Sequence, residues 1–189
     1  MRSFLWAAFL FGCVITPAYS GSSINPVIVN LSQGAGVVTI TNISSAPLGY
    51  EVRAFDWSVT AEGRDAVQQT DNLVIFPPIF RLGPGQSITV RLREVVPPRA
   101  SENAYRLQIS EEPPEVGGGG IGFEMQYIIS SFSSPERGAA SVTCVASSPN
   151  SVKIVNDGER RAHLDEVFVD GSEVTDSVSF TGRTLLAGS

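Results

Sequence analysis

Ile121-Gly122-Phe123-Glu124-Met125-Gln126-Tyr127-Ile128-Ile129-Ser130 alternates large apolar residues with small or polar ones, so that Ile121, Phe123, Met125, Tyr127 and Ile129 share one row. A period of two belongs to a β-strand, whose successive side chains point to opposite faces. The run Gly117 to Gly120 precedes the stretch, and Ser-Ser-Phe-Ser-Ser-Pro (Ser130 to Pro135) follows it. A flexible loop, a strand and a linker in that order mark the close of one domain before another begins. The other row, Glu124, Gln126, Ile128 and Ser130, is too polar for both faces to be buried. Pattern alone leaves two readings open. The apolar row fills the core of its own sheet, or it is offered at a sheet edge to another chain.

Working outward, short apolar runs recur between turn residues. Val27 to Leu31, Val37 to Thr41, Tyr50 to Val59, Leu73 to Phe76, Ser87 to Arg93 and Ala104 to Ser110 all read as strands. Gly34-Ala35-Gly36, Pro77-Pro78 and Gly83-Pro84-Gly85 punctuate them. Strands at this spacing, with no amphipathic helical pattern, predict an all-β chain. Its first part, residues 21–132, has the length of one immunoglobulin-like β-sandwich domain. Residues 133–137 read as a linker. Residues 138–189 are again β-patterned, in Ser141 to Val145, Ser151 to Asn156, Ala162 to Val169, Ser177 to Phe180 and Thr184 to Leu186. They number about half of what a sandwich domain needs, so a partial second β-sandwich is expected, with unpaired strand edges.

Residues 1–20 read as a signal peptide: Arg2, then the apolar run Phe4 to Thr16, then the small-x-small site Ala18-Tyr19-Ser20 before Gly21. The apolar run is too short to span a bilayer comfortably. A lipid-anchored alternative at Leu10-Phe11-Gly12-Cys13 is disfavoured, because Cys13 lies inside the run. Export is therefore expected. The 13 basic and 19 acidic side chains give a net charge of −6, and loss of Arg2 with the leader makes the remainder more acidic still. Such a chain, without a basic block, is a poor binder of nucleic acid or anionic membrane. Cys144 is the only cysteine outside the leader, which excludes an intrachain disulfide and predicts a buried free thiol.

Catalytic chemistry finds few parts. His163 is the only histidine, on an alternating run that predicts a surface strand position. No G-x-S-x-G nucleophile signature accompanies it. One histidine and one cysteine do not make a zinc site. Glu111-Glu112-Pro113-Pro114-Glu115 lacks calcium-loop spacing and reads as solvated surface with one structural carboxylate. Gly117 to Gly120 is followed by neither Gly-Lys-Ser/Thr nor a helix, so it is no phosphate loop. A non-enzyme without catalytic residues, cofactor or metal is expected. What remains is binding through backbone, in which an exposed edge adds a strand to a partner and alternate side chains fill its pockets.

Several ordered stretches carry a resemblance. Asn72 to Gln86 (NLVIFPPIFRLGPGQ), Val90-Arg91-Leu92, Ala104-Tyr105-Arg106-Leu107 with Glu111-Glu112-Pro113-Pro114, and Val152 to Gly158 resemble, in order and spacing, the periplasmic pilus (fimbrial) chaperones of the PapD-like family, with Tyr105-Arg106 as in its archaic branch. The Pro77-Pro78 pair is a candidate cis-peptide site. The resemblance implies two immunoglobulin-like domains forming a cleft. It further implies a function in pilus assembly: the last strand of the first domain is lent to a pilus subunit lacking a strand, and the subunit is passed to an outer-membrane usher. On this chain the lent residues would be Ile121, Phe123 and Met125, with Tyr127 and Ile129 continuing the row. Covering an unlidded apolar groove suppresses aggregation.

The departures are specific. The family's basic pair in the cleft, one on the first strand and one on the lent strand, falls at Pro26 or Val27 and near Ser130, none of them basic. Arg106 is then the candidate carboxylate anchor; an ordinary surface or interdomain arginine paired with Glu102 or a nearby acid is the competing reading. The Arg-Pro that leads into the second domain in the family is Ser134-Pro135 here. Other classes keep a place: a secreted β-sandwich pilus subunit or adhesin-like protein, or a truncated, decayed chaperone whose second domain stops near Leu185 to Ser189. A subunit would carry an N-terminal donor extension and often a disulfide.

Overall fold

β-Branched and aromatic residues favour a pleated, half-buried surface, and the Gly, Pro and Asn-Ser clusters between them supply turns. The computed structural model describes residues 21–60, 62–98, 100–112, 124–148, 151–164, 168–169, 172–173 and 183–189. These residues contain strands and no helix. One sheet has the spatial order β1 (Ser22–Asn25), β3 (Ala35–Asn42), β8 (Ser87–Glu94), β6 (Leu73–Phe76). The other runs β2 (Ile28–Leu31), β10 (Gln126–Ser133), β9 (Asn103–Glu112), β4 (Leu48–Val59), β5 (Asp65–Gln69), with β7 (Ile79–Leu82) also on β4. All pairings are antiparallel except β2 with β10, which is parallel.

The two sheets close face to face over the alternate residues the pattern singles out. Val38, Ile40, Val90, Leu92 and Leu73 come from the first sheet, and Val29, Leu31, Tyr50, Val52, Leu107, Ile109 and Ile129 from the second. Val38, Ile40, Val90, Leu107 and Ile109 have no exposed surface at all. Burying each such side chain contributes about 1.5–3 kcal/mol. A smaller cluster lies on the outward face of the second sheet, where Trp57 and Phe132 pack with Leu186.

Beyond β10 the described strands form two-stranded ladders: β11 (Val142–Ser148) with β12 (Ser151–Asn156), β13 (Ala162–Leu164) with β16 (Arg183–Leu185), and β14 (Phe168–Val169) with β15 (Ser172–Glu173). They are tied to the sandwich by polar contacts as well as by Leu186. The Glu102 carboxylate, 2% exposed, accepts from Arg161 Nη1 at 2.6 Å, and Ser134 Oγ donates to the same oxygen. Arg161 Nη2 also reaches Asn30 Oδ1 at 2.8 Å, and the guanidinium lies 3.9 Å from the centre of the Phe132 ring. An ion pair therefore joins Glu102 of the sandwich to Arg161 beyond β10, with Ser134 as a further donor to the same carboxylate.

Several expectations change in detail. β1, β5 and β7 are strands that the hydrophobic pattern does not single out; Ser22–Asn25 and Asp65–Gln69 hold few large apolar residues, and β7 adjoins a Pro-Pro turn. Among the described residues the cis bonds are Phe76-Pro77 and Asn25-Pro26, not Pro77-Pro78. Cys144 is exposed rather than buried, because β11 pairs with β12 alone and no described element covers its side of that ladder. The Ala162 to Val169 run holds two strands on different partners, while residues 177–180 lie outside the described residues.

Candidate functional site

β10 is held differently along its length. From Ser130 to Ser133 it is flanked on both sides, by β9 and by β2 at Ile28 to Leu31. From Gln126 to Ile129 its ladder partner is β9 alone, at Ser110 to Leu107. Among the described residues, the other edge of that N-terminal half carries no strand. Such an edge presents unpaired N–H and C=O groups to a partner's backbone.

The apolar row leaves the chain's own core progressively along this half. Ile129 is 4% exposed and packs inside the sandwich. Tyr127 is half-buried at the rim, where its Oη accepts a 3.1 Å bond from the Ser22 N–H. Met125 is 44% exposed. Ile121 and Phe123 lie outside the described residues. The two readings of the row thus divide by position: Ile129 is a core residue of this chain, and Met125 is available to solvent. Ile128, in the other row, is exposed on the outward face.

That outward face holds Arg106. In cross-strand register, Phe55 of β4, Arg106 of β9, Ser130 of β10 and Ile28 of β2 form one row. Arg106 Nη1 donates to Ser130 Oγ at 2.6 Å, and its guanidinium carbon stands 3.5 Å from the centre of the Trp57 ring. Cation–π geometry of this kind holds a guanidinium in place. Asp65 is 3.9 Å from Nη2 and is itself half exposed, so the pairing is loose. Burial lowers the Arg106 pKa below its ordinary value and Asp65 opposes the shift, yet an arginine remains charged at any physiological pH. Phe55, Asp65, Val67, Arg106, Gln108 and Ile128 line a groove of about 370 Å³. Arg106 thus pairs with Asp65, while Glu102 takes Arg161. The groove offers an immobilised cation beside apolar side chains, which suits a carboxylate at the end of an apolar segment.

Other sequence candidates fall elsewhere. His163 is exposed on β13. Glu111 is 4% exposed, a structural carboxylate at the end of β9. Among the described residues no group of His, Cys, Asp and Glu could hold a metal ion, and no helix is long and apolar enough to cross a membrane. The part of Trp57 was missed in the sequence, although the alternation of Tyr50, Val52 and Ala54 places it on the opposite, outward face.

Comparison with known proteins agrees with this architecture. Residues 24–138, more than half of the chain, match the model of the family described as "Pili and flagellar-assembly chaperone, PapD N-terminal domain", and the chain belongs to that family. It is a family of assembly chaperones, not of enzymes. No curated protein sequence matches. Among solved structures, the fold is similar to a chain of the CsuC-CsuE chaperone–tip adhesion subunit pre-assembly complex from archaic chaperone-usher Csu pili of Acinetobacter baumannii, with TM-score 0.67, 17% identity, and 90% of this chain and 88% of that chain covered. It is also similar to the class 5 fimbriae chaperone CfaA (TM-score 0.69, 17% identity, 89% and 83% covered). A third is the Salmonella enterica SafA pilin in complex with the SafB chaperone (TM-score 0.66, 16% identity, 92% and 86% covered).

Proposed function

We propose that this chain is a periplasmic chaperone of the archaic type that captures pilus subunits by lending them the N-terminal half of β10 and delivers them to an outer-membrane usher. The observation that carries the reading is the open edge of β10 over Gln126 to Ile129, coupled to an apolar row that emerges from the chain's own core at Met125. Main-chain bonds along that edge supply affinity, and Ile121, Phe123 and Met125 fill the pockets of the subunit's unlidded groove, with Tyr127 at the boundary and Ile129 setting the strand's position from within the sandwich. Arg106, pinned by Ser130 and Trp57, receives the carboxylate of the captured subunit and sets its register. Two of the structures similar to this one are complexes of a chaperone with a subunit or pilin, which supports a subunit as the client. The exported location rests on the leader-like residues 1–20.

Co-purification of the cognate subunit tests the strand. Phe123→Asp with Met125→Asp should reduce recovery at least tenfold, because two charges would enter an apolar groove. Val37→Ser, an exposed position on β3 of the other sheet, should leave recovery within about twofold. Equal recovery from the double variant and the wild type would remove strand donation. Arg106→Ala should weaken capture by about tenfold, the range of one charge-assisted contact. If capture by this variant is unaltered, Arg106 serves the fold.

A further inference from the structure

A second group of titratable side chains lies at the foot of the lent strand. Ser22 Oγ donates to Glu111 Oε1 and lies 2.6 Å from Tyr50 Oη, while the Ser22 N–H donates to Tyr127 Oη. Glu111 and Tyr50 are almost wholly buried. The Glu111 N–H in turn donates to the Met125 carbonyl at 2.9 Å, so the group sits where the apolar row leaves the sandwich. Burial raises the Tyr127 phenol, the Ser22 N–H pulls against it, and the Glu111 carboxylate adds to the rise.

Glu111 lacks one thing that buried carboxylates need. Glu102 has Arg161, and Glu94 has three donors spread over both oxygens: Asn103 Nδ2, Tyr105 Oη and Ser133 Oγ. Around Glu111, β1 contributes Ser22, β4 Tyr50 and β10 Tyr127, and no arginine, lysine or histidine among the described residues stands within ion-pair distance. A buried carboxylate without a cation is costly. Gly21 directly precedes Ser22, whose Oγ holds Glu111 and whose N–H holds Tyr127. Gly21 is buried, its carbonyl accepts from the Ile43 N–H at 3.2 Å, and a Cβ built on it would stand 3.2 Å from Tyr127 Oη. Its φ of +117° is one that L side chains rarely adopt, so glycine suits the position. The same glycine follows the small-x-small site Ala18-Tyr19-Ser20.

We infer that the cationic partner of Glu111 is the α-ammonium of Gly21, created when a signal peptidase cuts before it. Hydrolysis breaks the Ser20–Gly21 amide bond; water supplies the oxygen of the new Ser20 carboxylate, and the freed Gly21 amine binds a proton. Before cleavage the Gly21 nitrogen is a neutral amide. After it, an ion pair joins β1 to β9 and completes the ring through Ser22, Tyr50 and Tyr127. The ion pair at the foot of the lent strand is then present only in the processed, exported chain. This rests on the leader reading and not on strand donation.

The test uses the chain exported from full-length precursor, with its N-terminus read by intact mass. The Gly21 α-amine is then titrated by the pH dependence of its acylation, read on the N-terminal peptide. Its midpoint should lie at least about one unit above the ordinary 7.7–8.0, so that roughly tenfold less free amine is present at neutral pH. Glu111→Gln should return it to the ordinary range. The sign follows from the raised value: the pair's stabilisation is present below the unfolded midpoint near 8 and is lost as pH rises through the folded one. A chain beginning at Ser20, with its amine displaced, should lack that loss. Should Glu111→Gln not accumulate, Ser22→Ala keeps both charges and should keep the midpoint raised; a normal midpoint there overturns the inference. A native N-terminus other than Gly21 overturns the leader reading with it, whereas a Gly21 amine titrating like that of a free peptide overturns the ion pair alone.

Discussion

Asn42 and Asn156 are both fully buried, and each ends a strand in the same way. Asn42 donates through Nδ2 to the carbonyls of Ala46 and Leu82, and its Oδ1 accepts from the Ser44 N–H and Oγ. Asn156 donates to the carbonyls of Arg160, Leu185 and Leu186, and its Oδ1 accepts from the Gly158 and Ser141 N–H groups. Six residues after each asparagine a strand pairs with the segment so pinned: Leu48 opposite Leu82, and Ala162 opposite Leu185. Each segment then turns at a glycine with positive φ, Gly85 or Gly188. The Asn42 N–H donates to the Gln86 carbonyl and the Asn42 carbonyl accepts from the Gly85 N–H, while Asn156 donates to and accepts from the main chain of Ser189. One local device builds the same corner twice.

The two corners differ in what they support. Past Gln86 the chain returns as β8 along β3 from Ala35 to Thr41, and the two strands bury Val38, Ile40, Val90 and Leu92. Among the described residues β12 pairs with β11 alone, and Val142, Val145 and Val152 are exposed. A polar turn fixes a path for the backbone, but a core forms only where enough strands return to close over it. The first region has that closure and the second leans on the first, through Leu186 against Trp57 and Phe132 and through the Glu102–Arg161 pair.

Substitutions at the paired asparagines separate the corner from the core. Asn42→Ala leaves several buried backbone groups unpaired inside the sandwich and should cost about 3–4 kcal/mol in a urea unfolding curve. Asn156→Ala should cost about half as much by the same measurement, because its surroundings are nearer to water. Equal losses would mean that the second region is as tightly closed as the first. The joint comes next. Arg161→Ala strands the buried Glu102 carboxylate and should cost about 2–3 kcal/mol, whereas Glu102→Gln, which keeps acceptors for Ser134 and Arg161, should cost about 1 kcal/mol in parallel thermal melts. If the two variants melt alike, the joint is apolar in character. The smallest effect concerns pH. Burial, then the Glu94 carboxylate, raises the Tyr105 phenol well above 10, and burial also raises Tyr50. Their stabilisation is complete below the unfolded value near 10 and is lost as pH climbs above it. Tyr105→Phe should flatten the alkaline limb of stability against pH at a neutral-pH cost of about 1 kcal/mol, from the lost donor to Glu94. An unchanged limb would point to other groups.

Much of the sandwich is legible because its strands bury one face: Val37 to Thr41, Ser87 to Arg93 and Ala104 to Ser110 alternate cleanly, and all three are strands. β5 is not, since Asp65–Gln69 is an exposed edge strand with no apolar face to display. The candidate site divides in the same manner. The row from Phe123 to Ile129 is visible as a period of two, but the place where it leaves the core is not. Arg106 stands out by its neighbour Tyr105, while its partners Trp57, Ser130 and Asp65 come from three other strands.

The sequence by itself determined the alternation of strands, the breaks between them, and the resemblance that names the family, because these depend on residues close together in the chain. Tertiary structure alone decided which half of β10 is open, that Ile129 is enclosed while Met125 is not, that Glu102 takes Arg161, and that Glu111 is buried without a cation among the described residues. Each of those depends on register between strands far apart in sequence. A shift of one residue in that register would turn every side chain to the other face.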